Sequence, residues 1–357
     1  MLFRSGVWGE AEGTQAAISY VTSSGWLAFT LAELGEFDSA LACVDRAQRA
    51  AESGGHAYIQ TIARTFAGLV WLRRGQLDRA LPLLQKSLDA SREKNLDVWR
   101  PIPSSLLGLT CIWVGRLDEG LQLLEDGVKW TEGLGVRAYL ALWTSHLGEG
   151  LLEAGQPERA RAVAQRALDQ ARSHKERGHQ AWALHLMGDV MAHGDRVEMD
   201  KALEHYAQSL ALAEELKMRP LVARIQLSLG RLHRRVGIWA KAEEHLGAAL
   251  TLSREMDMRF WSARAAEELM KLGAPFVVAR SHGQLFEYLK QEFAGEPFTV
   301  TLDRRQGERR QGDAGLLGEE RRRMERRRHP EADEALRARG FVVLRDTRSR
   351  PEETAPG

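Results

Sequence analysis

The chain has 357 residues, with 50 lysines and arginines against 49 aspartates and glutamates. This near balance argues against the overall basic surface that whole-surface nucleic-acid binding needs. Only two cysteines occur, Cys43 and Cys111, without paired spacing, so the sequence encodes neither a disulfide framework nor a cysteine-ligated zinc site. A reducing compartment fits this usage, and we expect a cytoplasmic protein.

The N-terminus does not read as an export signal, because Arg4, Glu10 and Glu12 interrupt its first apolar stretch. No later segment reaches the roughly 18 apolar residues that span a bilayer. We therefore expect neither export nor membrane insertion.

Glycines then return at an interval of 40 residues, at Gly35, Gly75, Gly115 and Gly155, and the pattern resumes at Gly237. A fixed period of this size indicates helical hairpins that stack because each is too small to bury its own apolar face. The sequence predicts an all-α, right-handed superhelical solenoid of six to seven hairpins over residues 16–293. The predicted units are 20–55, 60–95, 100–135, 140–175, 180–217 and 222–257, followed by a partial cap at 259–293.

The second unit shows why each position carries its residue. Gly68 lies in the first helix, helix A, where a missing side chain lets a neighbouring helix approach closely. Gly75 ends helix A, because glycine enters the left-handed region cheaply. Asp78 begins the second helix, helix B, where a carboxylate suits the positive helix end. Ala80 must be small because it faces helix A.

The fifth and seventh units depart from the pattern. The turn around Gly194 to Asp200 carries two extra residues, which we expect to bulge from the surface. Phe260 to Leu272 is typical of a further helix A, and Val278 to Phe293 of a degenerate partner that caps the stack.

These offsets resemble the tetratricopeptide repeat in a longer form of about 40 residues. Three stretches, Trp26 to Phe37, His174 to Leu184 and Glu214 to Pro220, look like the repeat region of bacterial proteins that fuse a class III adenylate or guanylate cyclase, an ATPase module and such an array. The likeness spans about residues 20 to 270. It implies a sensing or scaffolding part without the enzyme, either stand-alone or begun inside a longer reading frame, because the sequence holds no phosphate loop.

A solenoid of this kind binds extended peptides or helices with side chains of helix A on its concave face. By offset, nine residues are placed there, with acidic and histidine residues in the middle and arginines toward the sixth unit. They are Glu149, Glu153, Trp182, His185, Asp189, His193, Arg224, Arg231 and Arg235. A solvated face with ordinary intrahelical ion pairs is the alternative, and the sequence leaves both open.

Catalytic or metal chemistry is not expected. His185 and His193 are separated by about 12 Å of helix axis, too far to share one ion without help, so no metal site is predicted. No carboxylate pair or nucleophile–base arrangement stands out, Cys111 occupies a core offset, and the tryptophans are spaced as packing residues. We predict no cofactor and no enzymatic activity.

After Phe293 the composition changes, and residues 297–346 form an arginine-rich segment flanked by two predicted strands, at 297–303 and 340–345. Residues 303–328 hold ten arginines and six acidic residues. Three interpretations stay open: a helix laced with ion pairs, a β-ribbon displaying a basic loop, and a disordered arm that clamps phosphate or an acidic partner. The candidate anion-binding residues are Arg304, Arg305, Arg309, Arg310, Arg321, Arg322, Arg326 and Arg327. Residues 347–357 are expected to be disordered.

The sequence thus predicts a scaffold or sensor that binds another protein in bacterial signalling or transcriptional control. One alternative is the regulatory part of a cyclase-type enzyme encoded upstream or separately. The other is a nucleic-acid-associated regulator that uses the arginine-rich segment, although its arginine run at 303–328 lacks aromatic residues for base stacking.

Overall fold

The structure, a computed structural model, describes residues 12–54, 56–193, 198–272, 276–292, 300–302 and 341–343. Within these ranges the repeat array consists of thirteen helices: α1 Glu12–Leu34, α2 Phe37–Gly54, α3 Ala57–Arg74, α4 Leu77–Glu93, α5 Pro101–Trp113, α6 Leu117–Gly133, α7 Leu140–Glu153, α8 Pro157–His174, α9 Arg177–Ala192, α10 Met199–Glu215, α11 Arg219–Arg235, α12 Trp239–Glu255 and α13 Arg259–Met270. No helix among the described residues is both long and apolar enough to cross a membrane.

Consecutive helices pair into six hairpins, from α1/α2 to α11/α12, and each hairpin packs on the next. The odd-numbered helices are the A helices and the even-numbered ones up to α12 are the B helices. Their buried apolar side chains form one continuous cluster along the array. The predicted all-α solenoid of tetratricopeptide-like hairpins is therefore confirmed.

The turn glycines act as their positions predict. Gly75 has a φ of 76°, in the left-handed region that favours glycine. Its N–H donates to Leu72 O at 3.0 Å, and the N–H of Gln76 donates to Trp71 O at 2.9 Å. These bonds satisfy the last carbonyl groups of α3 and turn the chain into α4.

Close approach inside a hairpin explains the helix A glycine of the second and fifth units. A Cβ atom at Gly68 would lie 2.5 Å from Cγ of Leu84, and one at Gly188 would lie 2.4 Å from Cε1 of Tyr206. Helix B therefore lies directly against helix A, because the glycine leaves room for a large side chain of the partner helix.

The array winds far enough for its first hairpins to meet its last ones. Asp257, in the turn after α12, accepts a hydrogen bond from Gln76 at 3.2 Å and pairs with Arg74 at 3.0 Å. A Cβ atom at Gly35, in the first turn, would lie 2.5 Å from Sδ of Met256. The first and last hairpins therefore contact each other, and the concave side is not an open trough.

The chain after α13 differs from the predicted cap. It continues with β1 Phe276–Val278, a 3₁₀ turn at Arg280–His282 and α14 Gly283–Glu292, followed by β2 Val300–Leu302 and β3 Phe341–Val343. The α14 helix packs on β1 and β2, so it belongs to this small sheet and is not the helix B of a seventh hairpin. The strand β1 was not predicted, and only its last residue, Val278, lay within the predicted cap helix.

The two predicted strands at 297–303 and 340–345 are present as β2 and β3, but they do not pair with each other. Both lie beside β1, which pairs in parallel with β2 and antiparallel with β3. The predicted ribbon is therefore replaced by a three-stranded sheet with β1 in the centre. The arginine-rich segment, with its eight candidate arginines, the tail at 347–357 and most of the predicted bulge at 194–200 lie outside the described residues.

Candidate functional site

Six side chains, one from each of six A helices, meet at the superhelix axis. We call this group the axial cluster; its members are Glu33, Arg73, Trp113, Glu149, Trp182 and Arg224, from α1, α3, α5, α7, α9 and α11. Because a guanidinium or carboxylate is costly to bury without a partner, the bonds among these groups determine whether the axis can close.

The first part of the axial cluster joins the N-terminal hairpins to the fifth. Oε1 of Glu33 accepts a hydrogen bond from Nε of Arg73 at 2.6 Å, and Oε2 accepts one from Nε1 of Trp182 at 2.8 Å. The Trp182 ring also lies between two guanidinium groups, 4.8 Å from that of Arg73 and 5.0 Å from that of Arg224. Cations over an indole face are attracted by its quadrupole.

The second part joins the third, fourth and sixth hairpins. Oε1 of Glu149 accepts hydrogen bonds from Nη2 of Arg224 at 2.7 Å and from Nε1 of Trp113 at 2.8 Å. Arg224 lies 4.2 Å from the centre of the Trp261 ring, which meets Trp113 edge to face. The axial cluster is therefore paired in charge and enclosed by aromatic rings.

Beside the axial cluster, α7, α9, α11 and α13 enclose a depression of about 310 Å³, which we call the groove. Eight of the nine residues predicted for the concave face line it: Glu149, Glu153, His185, Asp189, His193, Arg224, Arg231 and Arg235. The ninth, Trp182, lies behind the groove in the axial cluster.

Burial divides these nine residues. Trp182, His185 and Arg224 are only 6%, 3% and 6% exposed, so these three side chains offer little surface to a partner. Trp182 lies against Glu33 of α1 and Arg73 of α3. Arg224 lies against Trp113 and Trp261, and His185 lies against Ser228. In contrast, Glu153 and His193 are exposed at the rim.

The walls of the groove carry five arginines and three carboxylates. Two of the arginines, Arg234 and Arg264, were not predicted from the sequence. Arg264 lies 3.7 Å from its nearest carboxylate oxygen, on Glu153. Burial lowers the pKa of Arg264, and the nearby charge of Arg231 acts in the same direction. The groove thus brings like charges together and favours an anionic group.

His185 and Asp189 lie close together but are engaged in protein contacts. Nε2 of His185 lies 3.0 Å from Oγ of Ser228 and 3.5 Å from Oδ2 of Asp189. The Tyr206 hydroxyl donates to Oδ1 of Asp189 at 2.7 Å. Burial lowers the pKa of His185. The described part of the chain contains no group of three metal-ligating side chains.

Cys111 and the tryptophans were predicted to be packing residues of the core. Cys111 is fully buried, and burial raises the pKa of its thiol to about 11, which suits a packing residue. Trp113, Trp143 and Trp261 are buried, whereas Trp239 is 46% exposed.

A positional signal for the axial cluster exists in the sequence. Glu33, Arg73, Trp113 and Glu153 each stand two residues before a turn glycine and are spaced by 40 residues. Glu33, Arg73 and Trp113 belong to the axial cluster, whereas Glu153 is exposed at the rim of the groove. Charged and aromatic residues at this one repeat position therefore indicate a location near the axis for the first three units.

Residues 179–255, which cover the fifth and sixth hairpins, match the tetratricopeptide repeat family. The fold is similar to the apo form of RapI, with a TM-score of 0.49 and 14% identity over 74% of this chain and 87% of that one. It is also similar to BtubC from P. vanneervenii, with a TM-score of 0.43 and 19% identity over 62% of this chain and 91% of that one. No curated protein matches the sequence. None of these similarities bears on the resemblance to cyclase fusion proteins.

Proposed function

We propose that the array is a non-catalytic protein-binding module of bacterial signalling or transcriptional control, and that its groove binds an acidic segment of a partner protein. The observation that carries this proposal is the excess of arginines over carboxylates in a groove at the concave side. The tetratricopeptide repeat match supports a role in protein binding.

The state of the individual arginines supports an acidic partner. Arg224 is committed to Glu149 at 2.7 Å, and Arg234 to Glu268 at 3.0 Å. Arg231 and Arg264 are less well paired, since their nearest carboxylate oxygens lie at 3.3 and 3.7 Å. A partner carboxylate can therefore gain charge-assisted hydrogen bonds from these two without breaking a strong pair.

Selection of peptides from a random phage-displayed library on the purified full chain tests this proposal. We expect the selected peptides to be enriched in aspartate and glutamate. In fluorescence anisotropy, the Arg231→Glu/Arg264→Glu variant should bind the best labelled peptide at least about tenfold more weakly, a loss of about 1.4 kcal/mol.

The matched control is Arg159→Glu/Arg166→Glu, which makes the same charge change on the outer face of α8 and should bind as the unmodified chain does. Peptides without an acidic preference, or equal binding by the groove variant, would reject the proposal.

The two alternatives concern parts that the groove does not include. Regulation of a cyclase or ATPase rests on the three stretches quoted above, and nucleic-acid binding rests on the arginine-rich segment. Binding assays with and without residues 297–357 separate the nucleic-acid role from the groove. Loss of nucleic-acid binding with retained binding of the acidic peptide supports the groove as the protein-binding site, and the converse supports the nucleic-acid role.

A further inference from the structure

A small interior cavity lies between α3, α7, α9 and α11, behind the groove and next to the axial cluster. Its volume is about 10 Å³, and its walls include Arg73, His146, Trp182 and Arg224. A cavity of this volume accommodates one water-sized molecule if its walls offer two to four polar partners.

Three side chains at this cavity each have one buried polar atom without a hydrogen-bond partner among the described residues. These atoms are Nη2 of Arg73, Nε2 of His146 and Nε of Arg224. The three residues are 4%, 3% and 6% exposed. Native proteins leave very few buried polar groups unsatisfied, and ordered water supplies the partner where protein atoms do not.

The other polar atoms of the same side chains hold them in place. Nε of Arg73 donates to Glu33, Nη2 of Arg224 donates to Glu149, and Nδ1 of His146 lies 3.1 Å from Oγ of Ser105. None of the three can therefore turn to a new protein partner without breaking a bond that it already makes.

We propose that one ordered water molecule occupies this cavity, accepting hydrogen bonds from Arg73 and Arg224 and donating one to Nε2 of His146. The acceptor role of Nε2 requires a neutral imidazole. Burial lowers the pKa of His146 well below its ordinary value, and the charges of Arg73 and Arg224 act in the same direction. Neutral imidazole with its proton on Nδ1 then donates to Ser105 and leaves Nε2 as an acceptor.

The charges around the cavity favour water over a halide ion. Each guanidinium already faces a carboxylate, Arg73 with Glu33 and Arg224 with Glu149, and Asp189 also lines the cavity. An anion would add negative charge to a site whose positive charges are already compensated, and burying uncompensated charge is costly. The water joins α3, α7 and α11, so it belongs to the contacts that close the superhelical turn.

A crystal structure of the full, unmodified chain, at a resolution that shows ordered water, tests the proposal. We expect a density peak within hydrogen-bond distance of all three atoms, and no anomalous signal there after a sodium bromide soak. An anomalous bromide peak, an empty cavity, or side chains rearranged so that the three atoms bond protein groups would each overturn it.

A solution measurement uses two variants of cavity residues. In the unmodified chain we expect an NMR cross-relaxation peak between the Nε–H proton of Arg224 and water. His146→Phe fills the cavity and should abolish this peak. Ser145→Ala, whose hydroxyl bonds Ala141 O at 2.9 Å, should retain it. Persistence of the peak in folded His146→Phe would contradict the site.

Discussion

Two sets of arginine–carboxylate pairs join the hairpins of this array, and they differ in burial and not in distance. In the axial cluster, Arg73 pairs with Glu33 at 2.6 Å, with side chains 3% and 14% exposed. On the outer face, Arg159 pairs with Glu125 at 2.7 Å, with side chains 57% and 43% exposed. A short distance between the charged atoms of an ion pair therefore does not by itself indicate how strongly two repeats are held together.

Solvent makes the difference between the two regions. An exposed pair exchanges hydration for a screened attraction and contributes about 0–1 kcal/mol. A buried pair has already lost its hydration, so removal of one partner leaves an uncompensated charge and costs about 3–5 kcal/mol. The axial cluster should therefore respond to single substitutions far more strongly than the outer face.

The largest expected effect is that of Arg224→Ala. It leaves the Glu149 carboxylate half-buried beside Trp113 and removes the cation from between Trp182 and Trp261, so we expect the free energy of unfolding to fall by about 3–5 kcal/mol. Urea unfolding followed by circular dichroism measures it. The double variant Arg224→Met/Glu149→Gln, which removes both charges and keeps an acceptor for Trp113, should recover most of the loss; no recovery would contradict the charge explanation.

The second-largest expected effect is that of acid, which should lower the free energy of unfolding. Burial lowers the pKa of His146 and of His185 below the ordinary value of 6.5. Below about pH 6.5 the unfolded chain therefore binds more protons than the folded one. We expect the free energy of unfolding to fall as pH drops, by up to about 1.4 kcal/mol per pH unit for each histidine.

Urea unfolding at several pH values between about 7.5 and 5 checks this pH dependence. His146→Gln/His185→Gln should make the profile shallower without flattening it, because burial also lowers the pKa of His205 and of His245. His193→Gln, at the exposed rim, should leave it unchanged. A profile of the unmodified chain that is flat over this range would contradict the prediction.

Trp182→Phe tests one hydrogen bond of the axial cluster. It keeps an aromatic ring beside the guanidinium groups of Arg73 and Arg224 and removes the N–H that donates a hydrogen bond to Glu33. A hydrogen bond to a charged group contributes about 1.5–3 kcal/mol, and we expect a loss of that size in urea unfolding. Trp71→Phe, at a half-buried position outside the axial cluster, is the control and should cost about 0.5 kcal/mol or less. Equal losses would show that ring size, not the bond, matters.

The smallest effect should come from the outer face. Arg159→Ala removes the pair with Glu125 and should change the free energy of unfolding by about 0–1 kcal/mol, and by less at 1 M salt, because solvent and ions screen the attraction. A loss as large as that of Arg224→Ala would mean that burial does not separate the two regions.

Much of the local structure could be predicted from single residues. Gly75 determines where α3 ends, and Gly68 determines how closely α4 approaches, because both depend on backbone freedom and space within one hairpin. The groove could be predicted in outline, since its residues share helix A offsets. The burial of Trp182 and Arg224 could not be predicted, because it depends on distant parts of the chain. Trp182 lies against Glu33 and Arg73, more than 100 residues away, and Arg224 lies against Trp113 and Glu149. The strand β1 was missed because three residues carry too little pattern.

By itself, the amino-acid sequence determined the hairpin, its repetition and the all-α class, because these follow from contacts between residues that are close along the chain. Only the tertiary structure decided whether the concave side stays open or closes. The curvature of a solenoid is the sum of small rotations at every interface, and no single unit contains that sum. The summed rotation brings Glu33 to Trp182, across 149 positions of sequence, and leaves the groove open beside them.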